Sequence, residues 1–381
     1  VAMSSSPSII PGMPPASRVV TVLLPLEYGY FRDVLSGILT FRPTGRRWRL
    51  RLGNVPAGGI PPLNSTDACI VALSSEEMQD HVQRAKVPAV NVSGFLARTR
   101  IPRVMSDHHA VGVLAARHLL ERGYQHFACV GTGNTGPLLH TARNQGFVEA
   151  LQQAGHECIS LELPQLRLTD LPLPLGVFSH GDQHALELIQ QAAMENLAVP
   201  HQIAVVGVNN DRSLCEACHP TLTSVDPSGQ KIGFEAARML DQILESGSPR
   251  AMELLVPPAG VVARGSTDGV GVADADMAAA LCFIRDHATD GIDVSQVAQA
   301  AHISRRTLER RFRLLLRMSV HDAIRRQQFE AARTMLLGTD MKVWDIAGRC
   351  GFADFRRFSA AFRKQMGLPP GRFRQQHRLV S

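Results

Sequence analysis

The stretch from 294 to 312, "VSQVAQAAHISRRTLERRF", is answered forty-nine residues later by "VWDIAGRCGFADFRRFSAAF", from 343 to 362. In the first, Val294, Val297, Ala298 and Ala301 recur at the spacing of a helix face, and Ala298 is small enough to admit a close neighbour. His302 and Ile303 break that stripe. Ser304 then stands where an N-cap hydroxyl is wanted, and Leu308, Phe312 and Leu315 mark the expected buried face of a second helix. The pattern predicts helix, turn, helix.

Arg305, Arg306, Glu309 and Arg310 fall on the outward face of that second helix. The start of such a helix enters the DNA major groove, where Arg can bond guanine bidentately and Glu can accept from cytosine. In the second copy Val343, Ile346 and Ala347 form the first stripe, Gly351 supplies the turn, and Phe352, Phe358 and Phe362 anchor the second helix. Arg356 and Arg357 face outward, with Phe355 beside them at the helix start. Ser304, Ser359, Arg363 and Lys364 are expected at phosphates rather than bases. Between the copies, residues 319–336 read as one long helix with Ile324, Phe329 and Leu336 buried, which would hold two readers at fixed spacing.

A single copy is a weak signal, because any small helical hairpin alternates apolar residues and arginine on a helix is usually just solvated. Two Arg-rich copies joined by a helix are specific. Residues 277–378 resemble the DNA-binding domain of AraC-type transcriptional regulators, whose closing signature is matched by "IAGRCGFADFRRFSAAFRKQMGLPPGRFR" from Ile346 to Arg374. Where that family commonly has a small polar residue and an aromatic before the first of the paired phenylalanines, this chain has Arg356 and Arg357. An unusual operator is implied.

At 381 residues the chain is long enough for two or three domains. Its formal charge of +6 is unevenly placed: residues 273–381 hold nineteen Lys and Arg against eleven Asp and Glu, and residues 1–272 hold twenty-one against twenty-three. A polyanion partner therefore suits the C-terminal end alone, with an affinity that falls steeply in salt. No run of about eighteen apolar residues occurs, and the start lacks a basic and then apolar leader, so a cytoplasmic, nucleoid-associated protein without membrane contact is expected. Residues 1–17, rich in Ser and Pro, read as a disordered tail.

The seven cysteines are scattered, and the single "CEAC" from Cys215 to Cys218 has no second pair at zinc spacing, so reduced thiols, no metal and no cofactor are expected. His108, His109, His180 and His184 are expected on the surface or in a cleft without metal. No nucleophile with a base and no paired acids appear; Asp182 and His184, two apart on a helix start, point in different directions. Enzymatic activity is not expected.

From Val19 apolar strand-like runs ("VVTVLLPL", "WRLRL", "ACIVAL", "AVNVS", "HFACVG", "LGVFS", "IAVVGV") alternate with helical patterns from about 31, over 110–121, 142–153 and 183–196. This is the rhythm of parallel sheets covered on both faces, and two α/β lobes are implied. In such folds small polar ligands bind at the carboxyl ends of the strands.

Residues 18–266 resemble the sensing half of LacI-type repressors and the periplasmic binding proteins, through "VMSDHHAVGVLAARHLLERGYQHFACVG", "ARNQGFVEAL", "GDQHA", "IAVVGVNND" and "LTSVDPSGQKIGFEAARML", in the family's order. The resemblance implies lobe 1 over about 18–104 and 221–249, lobe 2 over about 105–220 and 250–268, a linker at 269–276, and the DNA-binding domain from 277 to 381. Motif by motif it implies sugar-hydroxyl contacts from Arg143, Asp182 and Asn209, the last a departure because an acidic residue is frequent there. Arg143 also fits a structural ion pair, and Asp182 a helix cap. Tyr30 and Phe31, in the first strand-to-helix loop, are candidates to stack on a sugar face.

The sensor-then-reader order, and "LLVPPAGVVARGSTD" from 254 to 268, resemble the xylose-responsive activators. That implies a carbohydrate effector, a pentose such as xylose, with a double-stranded DNA operator, RNA polymerase and a second copy of the chain as partners. Two alternatives stay open: a regulator whose sensor cleft is degenerate and serves only dimerisation, and, more remotely, a solute-binding protein.

Overall fold

The computed structural model describes residues 17–43, 47–53, 63–130, 137–161, 167–249, 251–269, 274–316, 318–352 and 354–377. Apart from Ser17, the expected tail lies outside the described residues, and so does half of the expected linker, 270–273.

The chain opens with β1 (Arg18–Leu23), α1 (Gly29–Thr40), β2 (Trp48–Gly53), β3 (Ala68–Val71), α2 (Glu76–Arg84), β4 (Ala89–Asn91) and β5 (Arg103–Ser106). It continues through α3 (His108–Leu120), β6 (His126–Val130), α4 (Leu138–Gln153), β7 (Cys158–Leu161), β8 (Leu175–Phe178), α5 (Asp182–Met194), β9 (Ile203–Val208), α6 (Arg212–Ala217) and β10 (Thr223–Asp226). Then come α7 (Gly229–Ser246), β11 (Glu253–Val256) and β12 (Gly260–Val262).

Two six-stranded sheets result, ordered β11-β5-β4-β3-β1-β2 and β12-β10-β9-β8-β6-β7. Among the described residues every strand pairing is parallel except that of β10 with β12, which is antiparallel at the edge of the second sheet. β3 and β9 are buried at every residue, as strands covered on both faces must be, which is why they read as unbroken apolar runs. β2, at an edge, is half-buried or exposed throughout.

The expected lobe boundaries need correction. β10 pairs with β9 and so lies in the second sheet, while β11 pairs with β5 in the first. The first unit accordingly takes residues 228–257 rather than 221–249, and 258 onward belongs to the second. Parallel pairing, which the local sequence does not encode, decides the membership.

In the second unit α3 and α4 lie unusually close. A Cβ on Gly112 would sit 1.9 Å from the Arg143 carbonyl oxygen, and one on Gly146 would sit 2.1 Å from that of His109. Any side chain at either position would push the two helices apart.

The C-terminal helices are α8 (Ala275–His287), α9 (Val294–Ala300), α10 (Arg305–Arg311), α11 (Val320–Gly338), α12 (Val343–Arg349), α13 (Phe355–Met366) and α14 (Pro370–His377). Two cores form along α11. Its first half gives Val320, Ala323 and Ile324 to an aliphatic core with Val297, Ala298, Leu308 and Phe312; its second gives Phe329, Ala332 and Leu336 to an aromatic core with Phe358, Phe362 and Phe373. Among the described residues no helix is long and apolar enough to cross a membrane.

One core residue was misplaced by periodicity. After α10 the chain widens into a π-type turn, Phe312–Leu316, so that Leu316 is buried and Leu315 is 38 % exposed. A turn of that width shifts every later side chain's phase, which a 3.6-residue pattern does not anticipate.

Candidate effector site and DNA interface

Each helix-turn-helix copy is fixed by its caps. Ser304 Oγ accepts from the Thr307 amide at the start of α10, and the Asp354 carboxylate accepts from the amides of Arg356 and Arg357, at 2.7 and 3.1 Å, at the start of α13. Both turns satisfy the preceding helix's last carbonyls in the same way. Ile303 N–H donates to Ala298 and His302 N–H to Gln299; Phe352 N–H donates to Ala347 and Gly351 N–H to Gly348. The residue at the bend is left-handed in each, His302 at φ 55° and Gly351 at φ 78°.

The candidate readers lie on the surface. Arg305, Arg306 and Arg310 are exposed and Glu309 is half-buried; Phe355, Arg356, Arg357, Arg363 and Lys364 are exposed and Ser359 is half-buried. Arg305 Nε meets Glu309 Oε1 at 2.9 Å, an exposed i,i+4 pair worth a few tenths of a kcal/mol. Ser304 is committed to its cap but remains exposed.

In the second unit Arg143, Asp182 and Asn209 lie at the carboxyl ends of the strands or on the helices that follow. Arg143, on α4, is buried and Nη1 donates to the His180 carbonyl at 2.6 Å. Asp182 does not cap α5, whose N-cap is Gly181. Its carboxylate, 2 % exposed, accepts from Ser224 Oγ at 2.6 Å and from the Asp211 amide at 2.8 Å, and Gly207 leaves the room it needs. Burial pushes the Asp182 carboxyl up to about 6, against the opposing hydrogen bonds from Ser224 and Asp211. Asp182 therefore reaches the site through the turn it holds rather than by its own oxygens. Asn209 and Asn210 both take positive φ, at 109° and 50°, a conformation that Asn tolerates better than most residues. Asn210 Oδ1 accepts from Arg264 at 2.8 Å.

Tyr30 and Phe31 belong to the first unit. Their rings meet edge to face at 4.9 Å and pack partly against that lobe's core.

Sequence reading missed a cluster. His108 and His180, expected on the surface or in a cleft, are each only 6 % exposed. The His140 and His180 rings meet tilted by 40° with centroids 4.0 Å apart, and His180 and His184 tilted by 43° at 4.6 Å, directly beside Arg143's carbonyl contact. Desolvation first, then the positive potential of neighbouring His and Arg143, lowers His140 to about 3 and His180 to about 4. The sequence signal for it, "HTAR" at 140–143 within α4, has no pattern of its own. All seven cysteines are free, with Cys215 and Cys218 buried. Among the described residues no group of three or more His, Cys, Asp or Glu side chains is placed to hold a metal ion.

The sensor's second lobe meets the C-terminal helices through α8 and α11, which flank the first helix-turn-helix copy. Ala198, from the loop between α5 and β9, lies in the aliphatic core of that copy; Arg285 Nη1 donates to the Leu197 carbonyl at 2.9 Å; and Arg326 pairs with Asp268. Behind Asp268, Thr267 Oγ1 is 2.8 Å from both His118 Nε2 and Thr223 Oγ1, and Thr223 is the first residue of β10.

Comparison with known proteins agrees with this division. Residues 116–267 match the periplasmic binding protein-like domain and residues 297–376 a helix-turn-helix domain. The xylose operon regulatory protein of Escherichia coli K12 is 26 % identical over 377 residues, 93 % of this chain and 96 % of that protein. The corresponding protein of Haemophilus influenzae is 27 % identical over 329 residues, 81 % of this chain and 85 % of that one. Among solved structures, that of the xylose-binding transcription activator xylR superposes with a TM-score of 0.80 at 25 % identity, covering 96 % of this chain and all of that one. A LacI family regulator from Enterococcus faecium with bound ribose shares the sensor fold, with a TM-score of 0.55 at 22 % identity over 65 % of this chain and 98 % of that one.

Proposed function

We propose, from the premise that this chain is a DNA-binding, sugar-responsive transcriptional regulator joining a periplasmic-binding-protein-like sensor to an AraC-type reader, that it acts as a carbohydrate-dependent activator. The observation that carries the reading is the pair of capped, arginine-bearing recognition helices, in a helical domain whose α8 bonds the sensor's second lobe.

In this reading Arg305, Arg306, Glu309 and Arg310 read one major groove and Phe355, Arg356 and Arg357 read the next. Ser304, Ser359, Arg363 and Lys364 hold phosphates. α11, 19 residues and therefore about 28 Å long, fixes the separation of the readers by contributing to both cores.

The effector is a small carbohydrate, and a pentose such as xylose is the first to try because the xylose regulators share this domain order. Arg143 and Asn209 contact it, Tyr30 and Phe31 supply flat apolar surface, and Asp182 sets the turn that presents Asn209. Effector shifts the regulator only through higher affinity for its active state. The path from sensor to reader is short: Asp182 bonds Ser224 on β10, β10 continues through Thr223 to Thr267, and Asp268 beside it pairs with Arg326 on α11. The working assembly is a homodimer that recruits RNA polymerase at its operator, in the cytoplasm and on the nucleoid.

The test is selection of random duplex DNA by the purified full chain at moderate salt, with and without a sugar panel. Enrichment of two half-sites, stronger with one sugar present, is the expected result. No enriched sequence under any condition overturns the reading.

A further inference from the structure

The imidazole cluster has no part in the contacts assigned so far to the effector. His140 lies in the first turn of α4, Arg143 one turn further, His180 in the loop after β8, and His184 in the first turn of α5. They gather at the carboxyl ends of the second sheet's strands, beside the amino ends of helices of 16 and 13 residues, whose dipoles add partial positive charge. The Nδ1 atoms of His140 and His180 are buried without a hydrogen-bond partner. A buried polar atom left unpaired is rare and marks a position that a ligand group can fill.

The charges facing the two rings divide by element. α4 brings Arg143, with Glu149 turned instead to the exposed His109. The β8–α5 connection brings His184, and Asp182, whose two oxygens are taken by Ser224 and the Asp211 amide. The β9–α6 turn brings the neutral Asn209 and Asn210, and Asp211, which caps α6. Burial, Arg143 and the neighbouring imidazoles disfavour protonation of the two rings, against a hydrogen bond from His180 to the Val130 backbone that favours it. The missing element is an anion.

We infer that the effector of this sensor carries a carboxylate, as an aldonate or a uronate, and that His140, His180 and Arg143 receive it. The inference rests on the reading of the chain as a sugar-responsive regulator and narrows the class of sugar. A carboxylate among these groups accepts charge-assisted hydrogen bonds from the guanidinium and from an imidazole N–H, which neutral hydroxyls do not match. The bound anion also favours the protonated ring, so a proton is taken up with the ligand. Affinity must then rise as pH falls.

The experiment uses the full chain and matched pairs of probes: xylose with xylonate, glucose with gluconate and with glucuronate, galactose with galacturonate. Thermal midpoint and calorimetric affinity are read at about pH 6 and about pH 8, the latter in two buffers of different ionisation enthalpy. The expected result is an acid that raises the midpoint while its neutral partner does not, tighter binding at the lower pH by up to about tenfold per pH unit, and net proton uptake. Aldonate against uronate tells which end of the sugar bears the carboxylate.

His180→Gln is expected to abolish the pH dependence. Because a buried substitution can fail to fold, the partly exposed His184→Gln is measured beside it, with a smaller loss of pH dependence expected. A neutral sugar that raises the midpoint as much as its acid overturns the inference and leaves the sensor reading standing. Acid binding that is independent of pH and takes up no proton overturns the histidine role. A flat response to every acid overturns the inference as well, while the sensor reading is then judged separately by sugar-dependent selection of DNA.

Discussion

The two helix-turn-helix copies solve the same geometric problem with different materials. The first closes its turn with His302 in a left-handed conformation, packs an aliphatic core and takes Ala198 of the sensor into it. The second closes with Gly351 and packs phenylalanine on phenylalanine: Phe329 meets Phe352, Phe358 and Phe362, Phe362 meets Phe373, and the Arg325 guanidinium sits 5.4 Å from the Phe352 ring centroid. The difference teaches that the copies are not interchangeable. The first copy shares its core with the sensor's Ala198, and the second is held by its own aromatic core and α11.

The severest way to break this comparison is to empty the aromatic core. Phe362 is fully buried, and Phe362→Ala is expected to cost about 3–5 kcal/mol, seen by denaturant titration of the C-terminal helices. Because the first copy has a separate core, DNA contacts should shrink to one half-site while the sugar response survives. Loss of both half-sites together would show one cooperative unit instead of two.

A smaller effect comes from the readers. Arg356→Ala or Arg357→Ala is expected to weaken operator binding by about 1–3 kcal/mol where the Arg bonds a guanine bidentately. Arg305→Ala should cost less, since Arg305 must first exchange its Glu309 partner, 2.9 Å away, for the base. Gel-shift affinities of the three variants rank them. An equal loss at Arg305 would show that the pair dissolves freely on DNA.

The turns sharpen the comparison further. Gly351→Ala is expected to destabilise by about 1–2 kcal/mol, because a Cβ there is left-handed and would meet Gln328 Nε2 at 3.0 Å. His302→Gly relieves the same strain in the first copy and should stabilise by about 1 kcal/mol or less. Thermal midpoints of the two variants should move in opposite directions.

The gentlest test is acid. Burial, then the Arg122 charge, depresses His118 to about 4, so the native state disfavours the proton that the unfolded chain binds near its ordinary value of 6.5. Stability is full above about 6.5 and falls as pH drops toward 4. His118→Gln should flatten that part of the midpoint-against-pH curve. An unchanged curve would remove His118 from the link behind Asp268.

Much of this was legible in the sequence because it is local. A cap needs Ser304 or Asp354 three residues from the amide it serves, a helix face needs apolar residues at i, i+3 and i+4, and buried parallel strands need unbroken runs such as that of β9. The expected burial of Ile324, Phe329 and Leu336 on one long helix follows from that spacing and agrees with the structure. Leu315 failed because a single π-type turn rephased the helix, and nothing in "RFRLLL" announces it.

What lay out of reach depends on chain path. Asp182 reads as a sugar ligand or a helix cap until the sheet brings Ser224, 42 residues away, onto its oxygen. The cluster of His140, His180 and His184 exists only because α4 and α5 start from neighbouring strands. The sequence by itself determined the element order, the two capped reader motifs and the basic C-terminal end, because near neighbours and periodic burial govern those. Only the tertiary structure decided which lobe owns β10 and β11, which carboxylate is already committed, and which core takes in a sensor residue. Those outcomes rest on contacts between residues tens of positions apart, for which the order of letters carries no distance.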